Sequence, residues 1–297
     1  MAEKYIFTVT EEEAKFPLKR IIKRRFSFSS RFMTKIKYQN LIKLNDETVP
    51  GWVIPKEGDT VSVSLPKEES HFEPEDIPVS VLYEDDDLLF INKQPGITVH
   101  PTKGHPSHTM ANALMKYEED TGQDFKIRFV NRLDMDTSGI LIVAKNSHAQ
   151  AELNKQMGSE ITEKKYIAVA DGVIDEDEFI IDKPIGLPSP DVKERTILSV
   201  EDGGHESRTG VKVLERFNDA TLIECTLFTG RTHQIRVHLS SIGHPLIGDP
   251  LYGKESDLIP RQALHAFSFS LIHPVTKERL LVEAPIPDDI NKLISML

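Results

Sequence analysis

The chain of 297 residues carries 36 Lys and Arg against 47 Asp and Glu, which gives a formal net charge of −11. Hydrophobic residues make up 39% and charged residues 28%, values that are typical of a globular protein and exclude wholesale disorder. No apolar run approaches the roughly 20 residues of a membrane helix. A single cysteine, Cys225, excludes an intrachain disulfide framework and a cysteine zinc cluster. A reducing cytoplasm is therefore the expected compartment, and a monomer the expected state.

The charges are unevenly distributed along the chain. Residues 15–43 contain ten basic residues and no acidic one, and Arg24, Arg25 and Arg31 belong to this block. Residues 68–89 contain nine acidic residues and no Lys or Arg. A local basic block is typical of a surface that neutralises phosphates, as in RNA binding. The alternative interpretation is a solvated helix face, and charge alone does not decide between the two.

The first 67 residues are predicted to form a small module. Ile21 and Ile22, and then Phe32 to Ile36, supply the apolar positions of two short helices. Ser29 and Ser30 lie between them as turn or N-cap residues. Alternating Val61, Val63 and Leu65 predict a strand. Residues 68–78 are acidic and contain Pro74 and Pro78, a composition that is typical of a linker.

Residues 79–297 are predicted to form one α+β domain. Because strands mostly follow strands, a mixed and mainly antiparallel sheet is expected. The predicted helices cover 110–117, 149–157 and a segment that Thr232 caps and Gly243 ends. The predicted strands cover 79–83, 88–92, 128–132, 140–144, 166–170, 209–217, 221–228, 266–272 and 280–282.

A polar loop precedes the apolar stretch Ile140–Ala144 and contains Arg132 and Asp134. Asp136, Thr137 and Ser138 are residues that bond their own backbone in turns, which is the structural interpretation for those three. Asp134 lies ahead of the turn, where its side chain could face a cleft. A carboxylate held beside a cation stays ionised and can serve as a nucleophile or a base.

Two further segments carry candidate functional residues. Arg231 and Arg236 flank the start of a predicted amphipathic helix, a place that favours anions, although surface salt bridges are the alternative for both. Lys165 and Tyr166 lead into a strand, where the tyrosine either packs or stacks on a base. The histidines at 100, 105 and 108 lie in a Pro- and Gly-containing loop without an evident fourth ligand, so no metal is expected.

The order of these motifs resembles that of the RluA-type pseudouridine synthases. The resemblance covers about residues 79–285. It rests on Arg132-Leu133-Asp134 with Thr137-Ser138-Gly139, on Lys165-Tyr166, and on the long stretch from Gly230-Arg231-Thr232-His233-Gln234-Ile235-Arg236 to Gly248-Asp249-Pro250-Leu251-Tyr252-Gly253. More weakly, residues 1–67 resemble a divergent S4 RNA-binding domain.

The resemblance implies isomerisation of uridine in RNA to pseudouridine, without a cofactor or metal. It implies that Asp134 is the catalytic aspartate, that Tyr166 stacks on the target base and assists proton removal, and that Arg236 pairs with Asp134. Arg132 matches a residue that helps hold the base out of its stack, and Leu264 matches an apolar pocket wall. Arg231, Lys165, Arg24, Arg25 and Arg31 are the expected RNA contacts.

The sequence departs from the family pattern at Asn131, where the family more often has His. By analogy with S4-containing members, ribosomal RNA of the large subunit is expected as the substrate, ahead of transfer RNA. Two alternatives stay open at this point. One is a non-catalytic RNA-binding protein, and the other is a metal-dependent phosphoesterase that uses Asp134 and Asp136.

Overall fold

The computed structural model of the chain describes residues 3–66, 68–189, 192 and 194–297. Its helices within these ranges are α1 Leu18–Arg25, α2 Ser30–Tyr38, α3 Met110–Thr121, α4 Ser147–Gln156, α5 Gln234–Ser240 and α6 Asp288–Met296. Its strands are β1 Glu3–Thr8, β2 Ile42–Leu44, β3 Glu47–Thr48, β4 Thr60–Ser64, β5 Ser80–Glu84, β6 Leu88–Lys93, β7 Ser138–Ala144, β8 Glu163–Asp171, β9 Glu178–Asp182, β10 Ile185–Gly186, β11 Thr196–Ile197, β12 Arg208–Arg216, β13 Ala220–Leu227, β14 Leu264–Ile272 and β15 Arg279–Glu283. None of these helices combines the length and apolar character needed to cross a membrane.

The N-terminal domain packs α1 and α2 against a four-stranded antiparallel sheet in the order β1-β4-β2-β3. Ile22 and Ile36 from the helices are fully buried with Val61 and Val63 from β4. Ser29 caps α2, since its hydroxyl accepts a hydrogen bond from the Phe32 N–H at 3.1 Å. The two short helices and this cap are confirmed, whereas residues 1, 2 and 67 of the predicted module lie outside the described residues.

The larger domain is built on a nine-stranded sheet. Eight strands run in the order β5-β6-β7-β14-β8-β13-β12-β9, and β15 pairs with β14 at a branch. The pairing of β7 with β14 is parallel, and the other pairings in this sheet are antiparallel. The predicted α+β class with a mixed, mostly antiparallel sheet is therefore confirmed.

Strand β7 lies inside the sheet between β6 and β14, and both of its faces are apolar. Leu141 and Val143 join the core on the side of α3, and Ile140 and Ile142 join the core on the side of α4. Gly139 begins this strand with φ +112°, where an added Cβ would lie 2.2 Å from the Ala266 carbonyl oxygen. Only glycine permits β7 to approach β14 this closely.

One predicted strand is wrong. Residues 128–132 form no strand, and their backbone pairs with β7 through a single bridge between Phe129 and Val143. The Asn131 amide provides the physical reason, because it donates to the Ile140 carbonyl at 2.9 Å and accepts from the Ile142 N–H at 2.8 Å. A side chain therefore takes the place of a backbone partner along this part of β7.

Residues 68–78 contain no helix or strand, in keeping with the predicted linker, but they are not free of contacts. Glu68 binds Lys35 of the N-terminal domain at 3.2 Å and Arg128 of the larger domain at 2.5 Å. Phe72 and Ile77 pack against the core of the larger domain. The segment is thus fastened along its length, and the domain boundaries themselves stay a prediction.

The two domains also touch directly through an aromatic cluster. The His148 ring lies 4.7 Å from the ring centroid of Phe28 and 6.0 Å from that of Phe32. Tyr5 donates a hydrogen bond from its hydroxyl to Asp87 at 3.3 Å. His148 is 4% exposed and its Nε2 has no hydrogen-bond partner among the described residues. A protonated imidazole at this place would be a buried and poorly solvated charge.

His148 makes stability depend on pH. Burial lowers the pKa of its imidazole from 6.5 to about 4. Between these values the unfolded chain binds a proton that the folded protein does not, so stability falls as the pH falls through this window. We expect His148 alone to remove about 2 kcal/mol of unfolding free energy between pH 7 and pH 5.

The matched variant is His148→Phe, which keeps a ring beside Phe28 and Phe32 and cannot titrate. Urea unfolding at the two pH values measures the effect. The wild-type protein should lose about 2 kcal/mol more than the variant between pH 7 and pH 5. Equal losses in the two proteins would contradict this account of the interface.

Candidate active site

A pocket opens at one end of the central sheet, where four segments meet. They are the loop before β7, strand β8, the start of α5 and the start of β14. The pocket brings together six of the residues singled out in the sequence, namely Arg132, Asp134, Tyr166, Arg231, Arg236 and Leu264. Strand pairing explains the meeting, because Ala266 lies opposite Tyr166 on β8 and His265 lies opposite Ser138 on β7.

The loop that carries Asp134 is held in place from inside the protein. The Thr137 N–H donates to the Asp134 carbonyl at 3.2 Å and closes a turn that begins at Asp134. The buried Lys93 donates its ammonium to the Met135 carbonyl at 2.7 Å, and Arg261 donates to the Asp136 carbonyl at 3.0 Å. The Asp134 side chain is left one-quarter exposed and faces the pocket.

Arg236 joins Asp134 to a second carboxylate. Its Nε and Nη2 each donate to Asp249 at 2.7 Å, and its Nη1 donates to the Asp134 Oδ2 at 3.2 Å. Burial alone would lower the pKa of Arg236, but the two carboxylates outweigh burial and raise it. Burial alone would raise the pKa of Asp249, and Arg236 instead holds it below its ordinary value. The guanidinium is therefore a fixed cation beneath Asp134.

Tyr166 and Leu264 form an apolar part of the pocket. They are 9% and 4% exposed. Burial raises the pKa of the Tyr166 phenol above its ordinary value of 10, and the negative charge of Asp134 raises it further. Tyr166 is therefore a neutral phenol at neutral pH, with a ring that is available for contact with a planar group.

The helix that carries Arg236 begins one residue later than the sequence predicts. Thr232 is not its N-cap. His233 occupies that position with φ +58° and no side-chain cap, and α5 starts at Gln234. The Gln234 amide oxygen accepts from the Arg231 N–H at 3.0 Å, which closes the preceding loop. The left-handed backbone of His233 turns the chain so that the His233 side chain lines the pocket.

His233, Asp249 and Tyr252 also belong to the site, although none of them is among the predicted site residues. His233 Nδ1 lies 2.9 Å from the Tyr252 hydroxyl, and its Nε2 lies 3.9 Å from the Asp134 Oδ2. The available signal was the position of His233 within the motif that also carries Arg236.

The other expected RNA contacts lie apart from the centre of the pocket. Arg132 and Arg231 are exposed at its rim. Lys165 lies outside the lining and pairs with Glu224 at 3.3 Å and with Glu163 at 3.6 Å. The three arginines of the N-terminal domain lie on α1 and α2, namely Arg24, Arg25 and Arg31. Their contact with RNA stays a prediction.

A three-residue cluster that could hold a metal lies elsewhere, at Asp85, Asp87 and His273. His273 Nε2 is 2.8 Å from Asp85, and its Nδ1 accepts from two backbone N–H groups. Both ring nitrogens are therefore used within the protein. Neither Asp134 nor Asp136 belongs to a cluster of this kind within the described residues, so the phosphoesterase alternative gains no support.

The fork between Arg236 and Asp249 should be a large contributor to stability. Asp249→Asn removes the fully buried negative charge that binds the Arg236 guanidinium. It also turns an amide N–H toward groups that already donate hydrogen bonds to this side chain. We expect a loss of about 3–5 kcal/mol in unfolding free energy, measured by urea unfolding. The control is Asp289→Asn, which breaks a similar fork with Arg261 but at a carboxylate that is 33% exposed.

Arg261 in the control keeps backbone carbonyl partners, so a loss of about 1 kcal/mol is expected there. A similar loss in the two variants would show that burial of the Asp249 carboxylate is not what makes this fork important.

Comparison with known proteins agrees with this geometry. Residues 87–241 match the family model described as RNA pseudouridylate synthase. An uncharacterized RNA pseudouridine synthase of Bacillus subtilis (strain 168), YjbO, is 40% identical over 90% of this chain and 94% of its own length. Ribosomal large subunit pseudouridine synthase D of Nitrosomonas europaea is 42% identical over 77% of this chain and 68% of its own length.

A solved structure, human RNA Pseudouridylate Synthase Domain Containing 1, superposes with a TM-score of 0.59 at 28% identity. The superposition covers 72% of this chain and 86% of that one. Sequence and fold agree, and the chain belongs to the RluA-type family of RNA pseudouridine synthases, enzymes that isomerise uridine in RNA.

Proposed function

We propose that this enzyme converts specific uridines of large-subunit ribosomal RNA to pseudouridine, with Asp134 as the catalytic carboxylate. The single observation that carries the role of Asp134 is its ion pair with Arg236 in a pocket that Tyr166 also lines. The substrate is supported by relatives that are named ribosomal large subunit pseudouridine synthase D, at 38–42% identity. The enzyme acts in the cytoplasm as a monomer in this proposal.

The reaction requires a carboxylate that can approach the ribose. The bond between C1′ and N1 of the uridine breaks, the uracil turns, and a bond between C1′ and C5 forms. A carboxylate can add covalently to the sugar or base, or it can stabilise positive charge at C1′. Arg236 serves each of these roles, because it fixes the carboxylate in one orientation through Asp249.

The target base has to leave its helix before this chemistry can occur, and the pocket offers groups for that step. The Tyr166 ring stacks on the uracil, and Leu264 supplies the apolar wall. The exposed Arg132 at the rim holds the base out of its stack, and Arg231 binds a neighbouring phosphate. Tyr166 also assists proton removal at C5 in this proposal.

The N-terminal domain supplies affinity for RNA. A groove of about 570 Å³ on its surface is lined by Lys19, Arg20, Lys23, Arg24 and Lys37 among others. Arg24 and Arg31 form no ion pair within the described part of the chain, so their charges are available to phosphates. Arg25 differs, because Glu13 accepts from its Nε at 3.1 Å and from its Nη2 at 2.9 Å.

Asp134→Asn tests the catalytic assignment. The variant keeps the size of the side chain and leaves the Arg236–Asp249 fork in place, so it should fold and bind RNA with an affinity within about threefold of wild type. Pseudouridine formation in an unmodified large-subunit ribosomal RNA transcript, measured by nucleoside chromatography, should fall at least about a thousandfold. A normal rate of modification would show that Asp134 is not the catalytic residue.

Arg24→Ala combined with Arg31→Ala tests the N-terminal surface. Loss of two phosphate contacts should make the slope of log K against log salt shallower by about 2, while kcat at saturating RNA stays unchanged. Equilibrium binding between about 50 and 200 mM salt measures the slope. Arg25→Ala is the matched control, and its smaller effect follows from the ion pair with Glu13. An unaltered slope in the double variant would refute the proposed contact.

A further inference from the structure

His233 presents an unused ring nitrogen to the active-site pocket. Its Nε2 lies 3.9 Å from the Asp134 Oδ2, which is too far for a direct hydrogen bond. Within the described residues, the hydrogen bonds of this ring involve Nδ1, and none reaches Nε2. The nitrogen therefore faces the space beside Asp134 that a bound nucleotide would occupy.

The hydrogen bonds of Tyr252 favour one tautomer of the His233 ring. The Tyr252 hydroxyl oxygen accepts a hydrogen bond from the Arg195 N–H at 2.7 Å. Its own hydrogen is then available to donate to His233 Nδ1, which lies 2.9 Å away. In a neutral imidazole whose Nδ1 accepts, the proton is on Nε2. We therefore assign the tautomer in which the pocket side of His233 is a hydrogen-bond donor.

His233 is held in this state by its surroundings. Burial lowers the pKa of the imidazole, and the charge of Arg236 lowers it further, while Asp134 acts in the opposite direction. The net lowering keeps the ring neutral at neutral pH. Asp249 positions Tyr252, because its Oδ1 accepts from the Tyr252 N–H at 3.1 Å. The carboxylate that fixes Arg236 under Asp134 therefore also fixes the partner of His233.

We propose that His233 donates its Nε2–H to a carbonyl oxygen of the target uracil and stabilises the negative charge that the uracil carries after it detaches from the ribose. This inference rests on the proposed function and adds a second catalytic residue to it. A neutral donor that is already oriented is the kind of group that stabilises a developing oxyanion most effectively.

Such a group favours the reaction because the uracil carries negative charge while it is detached from the ribose. When the C1′–N1 bond breaks, its electron pair stays on the uracil and spreads over N1 and the carbonyl oxygens, while C1′ becomes electron-deficient and is stabilised by Asp134. When the C1′–C5 bond forms, an electron pair of the uracil bonds C5 to C1′. The proton on C5 then passes to water and water returns a proton to N1, so the product is an isomer of the uridine. His233 donates a hydrogen bond throughout and transfers no proton.

Three variants test the proposal on the unmodified large-subunit ribosomal RNA transcript. His233→Asn tolerates the left-handed backbone but cannot reach the position of Nε2. His233→Gln places an amide N–H near that position. Tyr252→Phe keeps the ring that packs on His233 and Arg236 and removes only the hydroxyl that selects the tautomer.

We expect His233→Asn to lower kcat about a hundredfold with KM within about twofold, and His233→Gln to recover at least about tenfold of that loss. Tyr252→Phe should lower kcat by about two- to tenfold. A kcat of His233→Asn within threefold of wild type, or a Gln variant no faster than the Asn variant at equal thermal stability, would overturn the proposal. A wild-type enzyme that forms no pseudouridine in this transcript would instead refute the proposed substrate.

Discussion

The site depends on one buried ion pair, the fork that Asp249 and Arg236 form. Both side chains are almost completely removed from solvent, and burial of two charges is unfavourable unless every donor and acceptor is used. Here Asp249 also accepts two backbone N–H groups, and the remaining nitrogen of Arg236 binds Asp134. One satisfied pair thereby fixes the direction of Asp134 on one side and of Tyr252 on the other.

Much of the fold and part of the site could be predicted from local sequence. The apolar run at Ile140–Ala144 predicts a core strand, and the family resemblance predicts that Asp134, Tyr166 and Arg236 share one site. The role of Asp249 could not be predicted in this way, since its partner lies 13 residues earlier and only the bend of the chain between them brings the two together. Local patterns report periodicity and turns, whereas this pairing is a property of the folded chain.

The wrong strand at residues 128–132 and the unexpected contacts of residues 68–78 have a common physical origin. Residues 128–132 have the composition of a strand, and residues 68–78 have the composition of a free linker. In the folded protein, Asn131 replaces backbone pairing along β7, while Phe72 and Ile77 fasten the linker to the core. In each segment a few side chains determine the local structure, although the composition of the whole segment predicts a different one. Composition averages over the segment and does not show such individual contacts.

The double engagement of Glu68 has a consequence for how the two domains are joined. Glu68 binds a lysine of one domain and an arginine of the other, and the aromatic cluster around His148 adds a second area of contact. These contacts would persist if the peptide chain were cleaved between Phe72 and Ile77. The N-terminal domain is therefore held against the larger domain by surface contacts. A chain cleaved between Phe72 and Ile77 would still migrate as one particle in gel filtration without denaturant.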